Sequence, residues 1–226
     1  MAKERKRPPE DIRKDIYSQL AWDNRVGHTN ILVKVMDDGT VILSGMVASH
    51  TDRFEAEEDA YAVSGVNRVE NRLTVSLPPA YPVPDDEDIA AQIENLLQWN
   101  LTIDASRIQV VVTGGVLTLM GDVDSIWQKY RAEHLAENIA GVISVDNRLL
   151  VRPIGDVSDE DIRHDILGTL ARNTFIDASN IAVSVKKGEV TFNGIVENHL
   201  FKRIALDIAH NTNGVVDVHD NLEIAP

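Results

Sequence analysis

The chain of 226 residues has no cysteine, so a disulfide framework and thiol chemistry are both excluded. Cations are short as well: 22 Lys and Arg stand against 36 Asp and Glu, a formal charge of -14. Phosphate backbones draw most of their protein affinity from clustered cations, so nucleic acid is not an expected partner. Long apolar runs are missing, and the longest are strand-sized pieces such as Ile108 to Val112, far below the roughly 18 residues of a spanning helix. The first residues, MAKERKRPPEDIRKD, supply the basic stretch of a secretory signal without its apolar run, which predicts a cytoplasmic protein, at most peripheral to a membrane. Aromatic residues are only 5% of the total, whereas 43% hydrophobic and 26% charged residues describe a globular protein with a core.

What the chain does have is repetition. Asp11-Ile12, Asp88-Ile89 and Asp161-Ile162 open three segments of the same layout, and Asp85 to Val151 lies on Ser158 to Ile224 without a gap, with 26 identities in 67 positions. The first copy is more divergent and carries one extra residue near Asp37-Asp38-Gly39. Its Gly45 and Gly65 still match Gly121 and Gly141, and Gly194 and Gly214. The expected map is a basic arm at 1–8, read as a solvated terminus, then repeats at 9–77, 85–152 and 158–226. A proline-rich linker at 78–84 and a shorter one at 153–157 separate them.

Within each repeat, Ile12, Ile16 and Leu20, with their counterparts Ile89, Ile93, Leu97 and Ile162, Ile166, Leu170, form the stripe of an amphipathic helix. Strict alternation follows at Ile31, Val33, Val35, at Ile108, Val110, Val112 and at Ile181, Val183, Val185, then a Gly-containing turn and a second alternating run. That pattern is a hairpin. A second helix carries Ala pairs (Ala56 and Ala60, Ala132 and Ala136, Ala205 and Ala209), and a last strand ends the unit. The recurrent glycines are read as turn and helix-end residues rather than as a phosphate cradle. The expected fold is α+β: three tandem αββαβ units, each a three-stranded mixed sheet with two helices on one face, the last strand parallel to the strand before the crossover helix.

Three motifs run through the copies: Asp-Ala-Ser-x-Ile-x-Val at Asp104 and Asp177, x-Gly-x-Val-Thr-Leu-x-Gly-x-Val, and Gly-Val-x-x-Val-x-Asn-x-Leu. Together they resemble the BON domain, named for bacterial osmotically inducible and nodulation proteins, over nearly the whole chain. Copy one departs at Gly27-His28-Thr29. The resemblance implies a non-enzymatic module of envelope and stress-response proteins. Binding to phospholipid surfaces is often proposed for it, and one branch is linked to potassium sensing alongside a LysM module, for which this chain has no segment.

The residues suggest no catalysis. Nucleotide-binding, zinc-protease and nucleophile-elbow motifs are all missing. The seven histidines share no ligand spacing between copies and read as surface residues, Asp122 and Asp124 read as solvated carboxylates, and the Asn of the last strand reads as bonding its own backbone. Neither catalytic residues, a metal nor a cofactor is expected. Aromatics are the informative side chains. Trp22 and Trp99 hold the same place at the end of the first helix, about 80° from its stripe, and are expected to border the core. Trp127 and Tyr130 oppose Ala132 and Ile139 on their helix, where copy one keeps only Phe54. These five aromatics form the candidate contact surface, Trp127 and Tyr130 facing either a partner or a neighbouring repeat.

The expected function is therefore a stress-associated interaction module for protein partners or clients, self-association included. Peripheral phospholipid binding is the alternative, with sensing of a small cation such as potassium behind it. Net negative charge favours the protein partner, since an anionic membrane leaflet repels it.

Overall fold

The computed structural model describes residues 7–27, 30–77, 82–173 and 180–225. The first repeat runs α1 (Pro9–Trp22), β1 (Ile31–Val35), β2 (Thr40–Val47), α2 (His50–Tyr61) and β3 (Arg68–Val75). The second has α3 (Asp86–Gln98), β4 (Ile108–Thr113), β5 (Val116–Val123), α4 (Ile126–Ala136) and β6 (Ser144–Val151). The third has α5 (Asp159–Arg172), β7 (Ile181–Lys186), β8 (Glu189–Val196), α6 (His199–His210) and β9 (Asp217–Ile224). Each repeat is its own three-stranded sheet, an antiparallel hairpin whose second strand pairs in parallel with the third. The α+β fold expected from periodicity is the fold observed.

Local chemistry starts the helices. Ser49, Ser125 and Asn198 each accept a hydrogen bond from the backbone N–H three residues on, as do Asp85 and Ser158, while α1 opens on Pro8 and Pro9 with no side-chain cap. The Ile-Ile-Leu stripe of each first helix is buried, and the Ala pair of each second helix is fully covered, so a helix with little side-chain bulk there lies close on its sheet. In repeats 2 and 3 the first helix also ties down the hairpin. The Asp86 carboxylate accepts from the N–H groups of Gly114 and Gly115 at 2.7 and 3.0 Å, and Asp159 from Lys187 and Gly188 at 2.8 Å each. Repeat 1 has Pro9 at that position. There Arg7 makes a different tie, from the start of α1 to the turn after α2, donating to Ser64 O at 2.8 Å and pairing with Asp15 of α1 at 2.5 Å, so this member of the basic arm is anchored rather than loose in solvent.

The glycines divide into two groups, and one corrects the sequence reading. Gly65 lies in the turn after α2 with φ +93°, and a Cβ there would stand 3.0 Å from Ile12 Cδ1, so glycine serves both turn geometry and close approach of α1. Gly121 is at neither a turn nor a helix end. It lies inside β5 opposite Ile108, with φ +120°, and a Cβ would fall 2.0 Å from Arg107 O; Gly45 and Gly194 repeat this geometry.

The Asn of the last strand bonds its own backbone as expected, and does more. Asn71 and Asn147 accept from the N–H of Leu73 and Leu149 at 3.2 Å. Their amide groups donate to a carbonyl of the second helix (Arg53, Lys129) and to Glu57 or Glu133. In repeat 3 the pair is exchanged: Asp220 replaces Asn, Leu206 replaces Glu, and Lys202 donates to Asp220 at 2.7 Å. The strand-to-helix tie survives because donor and acceptor change together.

Candidate interaction surface

The two tryptophans expected to border the core do not. Trp22 is 75% exposed and Trp99 84%. The reason is their place at the helix end: α1 stops at Trp22 and α3 at Gln98, with Trp99 as its cap, and each tryptophan follows the buried Leu20 or Leu97 by two residues, about 200° round the axis. Leu101, two residues past Trp99, is fully exposed. Phe54, on α2, is 47% exposed.

Trp127 and Tyr130 are half-covered, and part of the cover of Tyr130 comes from the next repeat. Its ring lies 4.6 Å from that of His210, the last residue of α6, at an interplanar angle of 41°. Burial pushes the Tyr130 phenol up, with the charge of Asp217 adding to it, and burial pushes the His210 imidazole down against the pull of Asp207 and Asp217. Beside them Ile126, the first residue of α4, is 1% exposed and packs in the core cluster of the third repeat with Ile162, Ile166 and Phe192. Val151 touches the clusters of both repeats. Residues 85–225 accordingly form one compact unit, and the segment through Pro84 forms another. In the other two repeats the Ile126 position holds His50 and His199, a contrast that the sequence offers to a reader who aligns the copies.

Repeat 1 contains a polar cluster that periodicity does not announce. Arg25 donates to both Asp23 oxygens at 3.0 Å through Nε and pairs with Glu55 at 2.7 Å, and Gln19 donates to Asp59 at 3.1 Å. The hydrogen bonds from Arg25 hold the Asp23 carboxyl below the usual range. Asp59, 5% exposed, is pushed up by burial, and its second oxygen has no hydrogen-bond partner among the described residues. Repeats 2 and 3 have Leu135 and Ile208 at this position, which is the signal that a carboxylate has entered a half-apolar site. His28 and Thr29 of the adjacent departure lie outside the described residues.

Two further sequence readings change. His50 is buried and His210 half-buried, so the histidines are not uniformly on the surface. Asp122 and Asp124 are not merely solvated, because both pair with Arg107, Asp124 at 2.5 Å. Among the described residues no group of three or more His, Asp or Glu side chains gathers as a metal site would, and no helix is long and apolar enough to cross a membrane.

Three αββαβ units, each with a mid-strand glycine and a last-strand Asn or Asp tie, describe one family. The BON domain model matches residues 9–76, 85–153 and 158–226. The chain belongs to the BON domain family. Osmotically-inducible protein Y of Escherichia coli (strain K12) is 33% identical over 141 residues, 61% of this chain and 70% of that protein. Among solved structures, the C-terminal domain of CdsD, a structural protein of the type III secretion system of Chlamydia trachomatis, aligns with 96% of this chain and 98% of its own at 18% identity and a TM-score of 0.27. A second CdsD structure, matched over 96% and 93%, has the same identity and score. Values that low carry nothing about function or the arrangement of the BON repeats.

Proposed function

We propose that this BON protein is a non-enzymatic interaction module of the osmotic stress response, holding protein partners through the tryptophans that end the first helices of repeats 1 and 2. The exposure of Trp22 and Trp99 carries the reading. Large aromatics left mostly exposed by their own repeat cost solvation and are the side chains that dominate protein interfaces when buried by a partner. The relative named for osmotic induction supports the stress association. Tyr130 is already engaged with His210 within residues 85–225 and plays a smaller part.

Phospholipid is the second reading, favoured by the preference of tryptophan for membrane interfaces. Charge opposes it: an anionic leaflet attracts basic segments at about 1 kcal/mol per Lys or Arg, and this chain carries -14. The test is a Trp22→Ala/Trp99→Ala double variant in a pull-down from osmotically stressed cells, alongside sedimentation with neutral and anionic vesicles. Loss of captured protein with no vesicle binding in either form supports the proposal. Unchanged capture overturns it, and salt-resistant vesicle binding that disappears in the variant gives the site to lipid. Both side chains are outside the core, so the variant should keep its stability to within about 0.5 kcal/mol.

A further inference from the structure

Each three-stranded sheet has two edges, and a strand edge left open is a template for another strand. The edge formed by β3, β6 and β9 is blocked in every repeat, because the Asn71, Asn147 or Asp220 side chain accepts the N–H of Leu73, Leu149 or Leu222. The opposite edge is treated unequally. In repeat 1 the N–H of Val33 donates to the Tyr17 hydroxyl of α1 at 3.1 Å, and in repeat 3 the carbonyl of Val183 accepts from Arg163 Nε of α5 at 3.2 Å. These bonds show that the backbone groups of Val33 and Val183 point away from the hairpin. The shared register (Val33 opposite Leu43, Val110 opposite Leu119, Val183 opposite Phe192) gives Val110 and Val112 the same outward direction.

Repeat 2 lacks the blocking residues. Glu94 occupies the Tyr17 position and Ala90 the Arg163 position, and among the described residues no side chain bonds to the backbone of Val110 or Val112. Charge is missing too. The strand β1 carries Lys34 and β7 carries Lys186, while β4 reads Ile-Gln-Val-Val-Val-Thr with Val111, 37% exposed, in place of Lys34. Lysine on an edge strand is a common device against edge pairing, and a β-branched uncharged run is what such pairing favours.

We propose that the β4 edge pairs with the β4 edge of a second copy of this chain, antiparallel about a twofold axis through Val111. In that register Val110 of each copy faces Val112 of the other, which exchanges four backbone hydrogen bonds. It leaves out Ile108, whose N–H is already held by Ala105 O. Val111 meets its own counterpart as a close non-hydrogen-bonded pair on the open sheet face, where a lysine would meet a lysine. Because β4 carries no charged residue, it lies against an identical strand without opposing like charges, which favours a second copy, the joint being isologous. The inference does not depend on the tryptophan reading.

Light scattering and hydrogen exchange on the full chain test it. From about 10 μM to about 1 mM, the range for a small interface, the mass should rise from 25.0 kDa toward twice that value, and the Val110 and Val112 amides should exchange more slowly as it does. Val111→Lys, which installs what repeat 1 carries at the same place, should keep the circular dichroism of the parent and remain at 25.0 kDa throughout. Trp22→Ala/Trp99→Ala should pair as the parent does, which separates this joint from the tryptophan surface. A parent chain monomeric at the highest concentration overturns the proposal, as does a Val111→Lys variant that still dimerises. Protection of the two amides only on addition of another protein would assign the edge to that protein's strand and also overturn it.

Discussion

Repeats 1 and 2 share a fold, yet they finish the space beside their two helices in opposite ways. Repeat 1 fills it with its own charges: Asp23, Arg25 and Glu55 form a network, and Gln19 holds the buried Asp59. Repeat 2 places Leu135 where Asp59 lies and Ile126 where His50 lies, and Ile126 is buried by the third repeat. An apolar residue at a helix start is stable only if something covers it, so repeat 2 depends on its neighbour. Core-facing stripes are common to all copies. The differences that decide whether a repeat stands by itself or joins the next are confined to helix ends and a few flank positions.

The largest test of that contrast is Ile126→Ala. A fully covered isoleucine should cost about 2 to 5 kcal/mol when truncated, and the loss should show in denaturant unfolding of residues 85–225 while the transition of the first repeat keeps its midpoint. A loss below about 1 kcal/mol would mean that the join between repeats 2 and 3 is not held there.

A smaller effect is expected at Asp59. Its folded pKa is raised by burial, so the folded state binds a proton more readily than the unfolded chain. The stability this contributes is present below the ordinary carboxylate pKa and is lost as pH rises through the folded value. Asp59→Leu, which copies repeat 2, should be neutral to about 2 kcal/mol stabilising at pH 7 and should remove that slope. Destabilisation by more than about 1 kcal/mol would show instead that the carboxylate is needed by its neighbours.

Asp159 should give the smallest change, and the opposite sign. The N–H groups of Gly188 and Lys187 hold its pKa down, so its contribution is present above the ordinary carboxylate pKa and is lost as pH falls through the folded value. Asp159→Asn should flatten the acid limb of the unfolding curve of residues 85–225 and leave the first repeat unaffected, as followed by thermal melts between about pH 2 and 5. An unchanged acid limb would mean that the helix-to-hairpin tie contributes nothing to stability.

Much of this was legible without coordinates. Spacings of four at Ile12, Ile16 and Leu20 and of two at Ile31, Val33 and Val35 record which face each element buries, and these residues are in the core. Trp22 and Trp99 are exposed because, in the final turn, the residue that sets the buried direction is Leu20 or Leu97, about 200° round the axis from each tryptophan, and not the start of the stripe. The edge-blocking bonds of Tyr17 and Arg163 were invisible because they join residues 16 and 20 positions apart, on elements whose relative height no local pattern encodes.

By itself the sequence determined the triplication, the order of elements in each repeat, the faces they bury and the BON membership, since all of these follow from periodicities and turn residues acting within a few positions along the chain. Only the tertiary structure decided that Gly121 is needed against Arg107 O inside a strand, that Ile126 belongs to the core of the following repeat, and that β4 alone lacks a side-chain bond on its outer edge among the described residues. Each of those depends on atoms distant in sequence meeting at van der Waals or hydrogen-bond range, where a single substitution such as His to Ile or Lys to Val changes what a surface touches without disturbing the pattern that folds it.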